Sequence, residues 1–423
     1  MPAWSLTGLP PELDNRLYLS YEDLSPQLKQ CFLYCSLFPK GVAIIQSRVI
    51  EMWISEGLIQ PPDERSTSSH EYGLDDIATE YYRDLIKRNL IEPIQEYSLT
   101  GYKCTMHDVV RSFAEYMVRG ESVVIVGQEQ ATTGGCGMLV RRLAVGQTVS
   151  VVDWAVLQRH ESLRTLIIGS KVNFHPGDTL GSFLSLRVLS IRSAESDTLV
   201  ASLTKLKYLR YLHLQDTDIS SLPDDIHKMK FLSYISLCGN CEKLCHLPCS
   251  IIKLVHLRFL NIEGINVSVV PKGFRELTNL RSLYGFPVHV DMNASSSWCS
   301  LQELPPLSQL RQPILNGLEK VQDNWMAEKS MISSKRHLEY LQLNYSASGH
   351  TIGTGGAEVE QQQQSVSEEV LEKLCPPTCL ENLSLRGIRW SPATKLDVCS
   401  SIGGLQEPEV FEAAEPTLLH AAS

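Results

Sequence analysis

The stretch LRYLHLQDTDISSLPDDIHKMKFL, residues 209–232, decides the fold of this chain. Its first six residues set Leu209, Leu212 and Leu214 in the frame L-x-x-L-x-L. A strand turns successive side chains to opposite faces, so Leu212 and Leu214 share one face while Tyr211 and His213 take the other. Ile219 and Leu222 extend the apolar set and Pro223 ends the turn. Thr217 stands at a turn-side polar position, and residues 224–229 can return as a short helix. Such a unit has an apolar face and nothing of its own to bury it against. Each hidden aliphatic side chain is worth roughly 1.5–3 kcal/mol as an upper bound, so copies must stack.

The copies are present. With Val or Ile allowed, the frame recurs from Val140, Leu163, Leu186, Leu209, Leu232, Leu257 and Leu280. The first four steps are 23 residues, followed by 25 and 23. Weaker copies start at Leu338 and Leu380, after gaps of 58 and 42. Leu222-Pro223 and Leu247-Pro248 close units, with Val270-Pro271 in the same role. This is a leucine-rich-repeat register. It predicts an α/β solenoid with a curved parallel sheet over residues 139–390, a flexible polar insertion at about 346–368 and an irregular tail at 391–423.

The alternate positions are expected to face outward: Thr165/Ile167, Val188/Ser190, Tyr211/His213, Tyr234/Ser236, Phe259/Asn261, Ser282/Tyr284 and Tyr340/Gln342. At a strand spacing of about 4.8 Å, Tyr211, His213, Tyr234, Phe259 and Tyr284 form a candidate protein-binding strip. Ordinary strand propensity accounts for the same aromatics equally well. A second ladder, Arg141, Arg164, Arg187, Arg210, Arg258 and Arg281, is interrupted by Ser233. It reads either as a docking edge for an acidic surface elsewhere in the chain or as a solvated edge.

Residues 1–120 read as a separate module, joined to the repeats by a linker at 121–138. Residues 1–119 hold Lys+Arg 11 and Asp+Glu 17, a net of −6. Helical spacing links Leu28, Cys31, Phe32 and Cys35; then Val49, Ile50, Trp53 and Ile54, with Ser47 placed to cap. A third helix carries Leu74, Ile77, Ala78, Tyr81 and Leu85, and a fourth Val109, Val110, Phe113, Ala114 and Met117. Between these two, strands at about 90–94 and 101–105 flank a Gly101 turn. Helices followed by a hairpin predict a winged helix, so the fold class is α+β followed by the α/β solenoid. An acidic module disfavours nucleic acid as partner, as does the net charge of −10 of the whole chain.

Other classes are excluded on composition. No apolar run approaches the roughly 20 residues needed for a transmembrane segment, and the first residues lack the pattern of a signal peptide. The twelve cysteines include the cluster Cys238, Cys241, Cys245 and Cys249. Its spacing fits no familiar zinc finger, and Cys241 falls on a repeat position, so no metal site is assigned. Reduced thiols in the cytoplasm are the simpler reading.

The segments LYLSYEDLSPQLKQCFLYCSLFPKG (17–41), VIEMWISEGLI (49–59), YYRDLIKRNLIEP (81–93) and MHDVV (106–110) resemble successive motifs of plant nucleotide-binding leucine-rich-repeat disease-resistance proteins. They match the winged-helix subdomain of that family's NB-ARC ATPase module, and the repeats that follow match as well. The resemblance covers roughly residues 5–345. It implies a role in plant defence and the hypersensitive response. It implies that His107 contacts the phosphates of ADP, with Asp108 capping the next helix and Met106 anchoring the turn. Partners implied are proteins: a pathogen effector or guarded host protein, and a nucleotide-binding domain in cis or in trans. A cytoplasmic location is implied, with a peripheral place at the plasma membrane in the full receptor.

One part of the family's pattern is missing. No G-x-x-x-x-G-K-[ST] loop occurs in these 423 residues, and LDD at 74–76 sits on a helix-period segment. Lone His107 cannot hold ADP or ATP tightly without loop amides and a lysine. The chain alone is therefore expected to bind no cofactor, to hold no catalytic residues and to be no enzyme. The alternative is a stand-alone repeat adaptor or decoy that binds proteins without nucleotide.

Overall fold

The computed structural model describes residues 15–61, 73–98, 101–127, 140–149, 154–173, 180–195, 197–239, 241, 243–291, 298–321, 324–345, 374 and 376–387. The expected insertion at 346–368 and the tail at 391–423 lie outside them. The chain divides into two compact units, Met1–His213 and Leu214–Ser423.

The first unit opens with α1 (Asn15–Glu22), α2 (Pro26–Cys35), β1 (Ile44–Ile45), α3 (Gln46–Glu56), α4 (Leu74–Lys87), β2 (Glu92–Ser98), β3 (Gly101–Thr105) and α5 (Asp108–Met117). The strands form one antiparallel sheet in the order β1-β3-β2, which completes a winged helix. Helix α1 was not legible as a periodic segment. Ser25 caps α2 by accepting from the Leu28 N–H at 3.3 Å, with Pro26 placed where a missing N–H costs nothing. Helix α3 departs from expectation. The chain enters it straight from β1, so Ile45 is the N-cap, and Ser47 lies inside the first turn. Gly57 at φ 84 ends it. Gly101 is held at φ 79 in the hairpin, and a Cβ there would meet the Gln46 side chain at 2.5 Å. That side chain accepts from the Tyr102 N–H at 3.0 Å, tying the hairpin to the start of α3. The module's core stacks Tyr21 on Phe113 and Trp53 on Tyr82, with ring centroids 5.4 and 6.2 Å apart.

The repeats begin at once. Strands β4 (Ser122–Ile125), β5 (Arg142–Val145), β6 (Thr165–Ile168) and β8 (Val188–Arg192) pair in parallel, and one rung aligns Val123, Leu143, Leu166 and Leu189. Short β7 (Val172–Asn173) and β9 (Ala194–Glu195) pair beside them. Strand β10 (Tyr211–Gln215) continues the series through the Tyr211 N–H, which donates to the Arg187 carbonyl at 3.0 Å. The stretch expected as a linker, 121–138, thus opens with β4, an additional repeat strand.

In the second unit, β11 (Tyr234–Cys238), β12 (Phe259–Asn261), β13 (Ser282–Pro287), β16 (Gln312–Asn316), β17 (Tyr340–Asn344) and β18 (Asn382–Arg386) pair in parallel. A small hairpin of β14 (Val290–Asp291) and β15 (Trp298–Cys299) interrupts the series. Ile235, Leu260 and Leu283 share a rung with Pro313. That proline replaces the second aliphatic of the frame, which hid β16 from the sequence pattern. Leu341 and Leu383, 42 residues apart, are direct neighbours. Lys335 clamps this unit from within: its ammonium donates to the carbonyls of Leu304, Pro305 and Leu307 at 2.6, 2.8 and 3.0 Å. Cys241 is a buried repeat residue whose thiol donates to the Cys238 carbonyl at 3.4 Å.

Candidate functional site

Helix α3 is buried along almost its whole length, from Gln46 and Val49 through Glu56. An ordinary surface helix hides one stripe. This one has two partners within the first unit: α2 and α4 on one side, and the outward face of the repeat strands on the other. Three polar contacts from α3, and one from Tyr34 of α2, fix the second. The Arg48 Nη2 donates to Ser190 Oγ at 2.7 Å. The Thr165 hydroxyl donates to Glu56 Oε1 at 2.5 Å. The Tyr34 hydroxyl lies 3.2 Å from Thr165 Oγ1; since threonine's single proton is spent on Glu56, Tyr34 must donate here. Arg187 Nη1 donates to the Glu56 carbonyl at 2.5 Å, placing a cation on the negative end of α3.

At the centre sits a buried ion pair. Glu56 and Arg142 side chains are 2% and 6% exposed, with Arg142 Nε 3.8 Å from Glu56 Oε1. That distance is attraction without a hydrogen bond, and Nε and Nη1 of Arg142 make no hydrogen bond among the described residues. The guanidinium also lies over the Tyr34 ring, 5.7 Å from its centroid. Burial, and then the Glu56 charge, push the Tyr34 phenol well up, so it stays a donor.

The three MHD residues come together where β3 meets α5, but the helix cap is a different residue from the one expected. The N-cap of α5 is His107, whose Nδ1 accepts from the Val109 N–H at 3.4 Å. Asp108, expected as the cap, is instead the first helical residue, because the turn after β3 ends one residue earlier. Its carboxylate meets Lys40 Nζ at 2.5 Å, and that hydrogen bond holds the carboxyl below its ordinary value. Arg111, one turn along, donates to the Phe38 carbonyl. Both arms tie the start of α5 to the loop after α2. An accepting Nδ1 leaves Nε2–H as the free donor of a neutral ring. His107 and Asp108 are exposed and Met106 is buried.

The expected partner strip is not a continuous exposed one. In the first unit Tyr211 and His213 are buried, their rings 6.4 Å apart. So are Thr165, Ile167, Val188 and Ser190. The face they share is the one α3 occupies. In the second unit Tyr234, Ser236, Tyr340 and Gln342 are buried as well. Phe259 and Tyr284 are half-buried and meet edge to face at 5.3 Å. Sequence reasoning missed Glu56, Arg142, Tyr34 and Arg48. Arg142 was within reach: it is the outward residue of the unit that starts at Val140, one step before Thr165 in the same series. Glu56 and Tyr34 carry no such signal, since each sits among core residues of a helix.

Two family models match the chain. That for the disease-resistance-protein winged-helix domain covers residues 37–114, and that for a leucine-rich repeat region covers 162–401, more than half of the sequence. The chain belongs to the plant leucine-rich-repeat disease-resistance family. Among similar relatives of this resistance-family chain are an RPP8-like disease-resistance protein of Arabidopsis thaliana, 31% identical over 30% of this chain and 14% of its own length, and the disease-resistance protein RGA1 of Solanum bulbocastanum, 28% identical over 45% and 18%. The resistance-family chain thus spans less than a fifth of the length of these relatives. A repeat protein of Leptospira interrogans superposes with a TM-score of 0.43 at 20% identity, over 69% of this chain and 64% of that one. No described helix is long and apolar enough to cross a membrane.

Proposed function

We propose that this chain is the restraining and sensing part of a plant disease-resistance receptor, a switch that binds and releases and does no chemistry. The observation that carries this is the burial of α3 against the outward strand face, sealed by Glu56, Thr165 and Arg142. Repeats that grip their own winged helix with a recognition face are built to restrain it. Here His107 offers Nε2–H to a phosphate of ADP, and a phosphate loop outside these 423 residues supplies the remaining ligands. The chain's own residues do one thing toward that nucleotide: they hold the His107 imidazole at the start of α5, through the Val109 cap, the Lys40–Asp108 pair and the Arg111 tether. ATP binding in place of ADP is the signal-competent state of this reading. Sensing falls to the second unit. There Phe259 and Tyr284 stand half-buried beside Gln312, which accepts from the Tyr284 hydroxyl at 2.6 Å. Aromatic and amide groups suit a protein partner, an effector or a guarded host protein.

The test joins this chain to a phosphate-loop domain and follows loss of bound ADP. His107→Ala and Glu56→Ala should each speed that loss. Retention unchanged in both variants contradicts the reading.

A further inference from the structure

A second surface recurs in the repeats and plays no part in the switch. Ahead of the first core leucine, three consecutive units read KLKYL (205–209), KMKFL (228–232) and KLVHL (253–257). The unit before reads SFLSL (182–186) and the unit after ELTNL (276–280), neither with a lysine. Within each, the core positions are sealed: Leu206, Leu209, Met229, Leu232, Leu254 and Leu257 are buried. The residues between them point out. In the second unit Phe231 is 46% exposed and Val255 53%, and Lys228, Lys230, Lys253 and His256 are exposed beside them. The register Tyr234↔Phe259 keeps the two segments in step, so these side chains share one edge of the repeats. In the first unit Lys205, Lys207 and Tyr208 are exposed at the same positions of their repeat.

Exposed apolar residues scattered singly need no explanation. These are not scattered: Tyr208 and Phe231 hold the same position of consecutive repeats, each preceded by a lysine, and Lys253, Val255 and His256 continue the exposed segment in the next. Core burial does not account for Phe231 or Val255, and Lys228 among the lysines meets Asp225 at 2.6 Å. The patch is basic in a chain of net charge −10, so it opposes the chain's general repulsion from anionic surfaces at one place. An aromatic ring and a valine able to enter a headgroup layer, with ammonium groups reaching its phosphates, are the chemistry of a peripheral contact with an anionic bilayer. We infer that this edge of the repeats, carried by Lys230, Phe231, Lys253, Val255 and His256, binds an anionic membrane surface. This does not rest on the nucleotide switch.

The experiment sediments the full chain with vesicles of phosphatidylcholine alone or mixed with phosphatidylserine. The wild-type chain should pellet with the mixed vesicles and not with the neutral ones, and rising salt should release it. The pair Lys230→Glu and Lys253→Glu should lower binding at least about tenfold. Phe231→Ser with Val255→Ser keeps every lysine and should lower it several-fold. Circular dichroism of each variant confirms that the fold is kept, as expected for exposed positions. Equal binding to both vesicle types, or binding unchanged in the variants, overturns the inference. So does retention on immobilised polyglutamate with no vesicle binding, which assigns the edge to an acidic protein.

Discussion

One repeat frame builds the outward strand face in both units, yet the side chains on it meet different fates. In the first unit Arg142, Thr165, Val188, Ser190 and Tyr211 are buried, and α3 lies on this face through Glu56 and Arg48, with Tyr34 of α2 beside it. In the second unit Tyr234, Ser236, Tyr340 and Gln342 are buried too, but Phe259, Asn261, Tyr284 and Gln312 between them are half-buried, and the Tyr284 hydroxyl donates sideways to Gln312. The frame dictates which residues turn away from the leucines. It does not dictate whether they meet water, each other or a helix of the same chain.

Breaking the first face should therefore cost far more than breaking the second. Glu56→Ala leaves buried Arg142 with only the part-exposed Glu121 carboxylate, 3.9 Å away, as counter-charge, and urea unfolding of the first unit should register a loss of about 3 kcal/mol. A pH series probes the same helix. Burial, and then Asp75, push the Glu51 carboxyl up from 4.5 to about 8, with Arg48 pulling the other way. A carboxyl raised on folding takes up a proton, so its contribution is full below pH 4.5 and is lost as pH climbs towards 8. Glu51→Gln should flatten that slope, a change on the order of 2–4 kcal/mol across the window. Thr165→Val removes the hydroxyl that serves the buried Glu56, and should cost about 1–3 kcal/mol in the same unfolding assay. Tyr284→Phe deletes one hydrogen bond on the half-open face, where water can replace it. Its loss should stay at or below about 0.5–1.5 kcal/mol; a value matching Thr165→Val would erase the distinction between the two faces.

Much of this architecture was legible because aliphatic side chains on strands obey a strict period. The rungs through Leu166, Leu189, Leu260 and Leu283 fall where the 23-residue register puts them. Two strands escaped it. Strand β16 carries Pro313 in place of an aliphatic, and β4 precedes the first recognisable unit. The MHD turn was legible as a position but not in every role, since α5 begins at Asp108 itself, which moves the cap to His107. The docking face was not legible at all. Alternation marks a residue as outward, and Thr165 or Tyr211 reads the same with or without a helix over it. Only the meeting of segments more than 100 residues apart, Glu56 with Thr165 and Tyr34 with Thr165, decides burial.

The most direct test of the docked helix is a double-mutant cycle on Glu56 and Arg142, with Glu56→Gln, Arg142→Met and the pair compared by chemical unfolding. A direct buried contact predicts a coupling energy above about 1 kcal/mol, with the double variant less damaged than the sum of the singles. Additivity within about 0.3–0.5 kcal/mol would mean that the two side chains do not meet, and would contradict the account of the repeats gripping the winged helix.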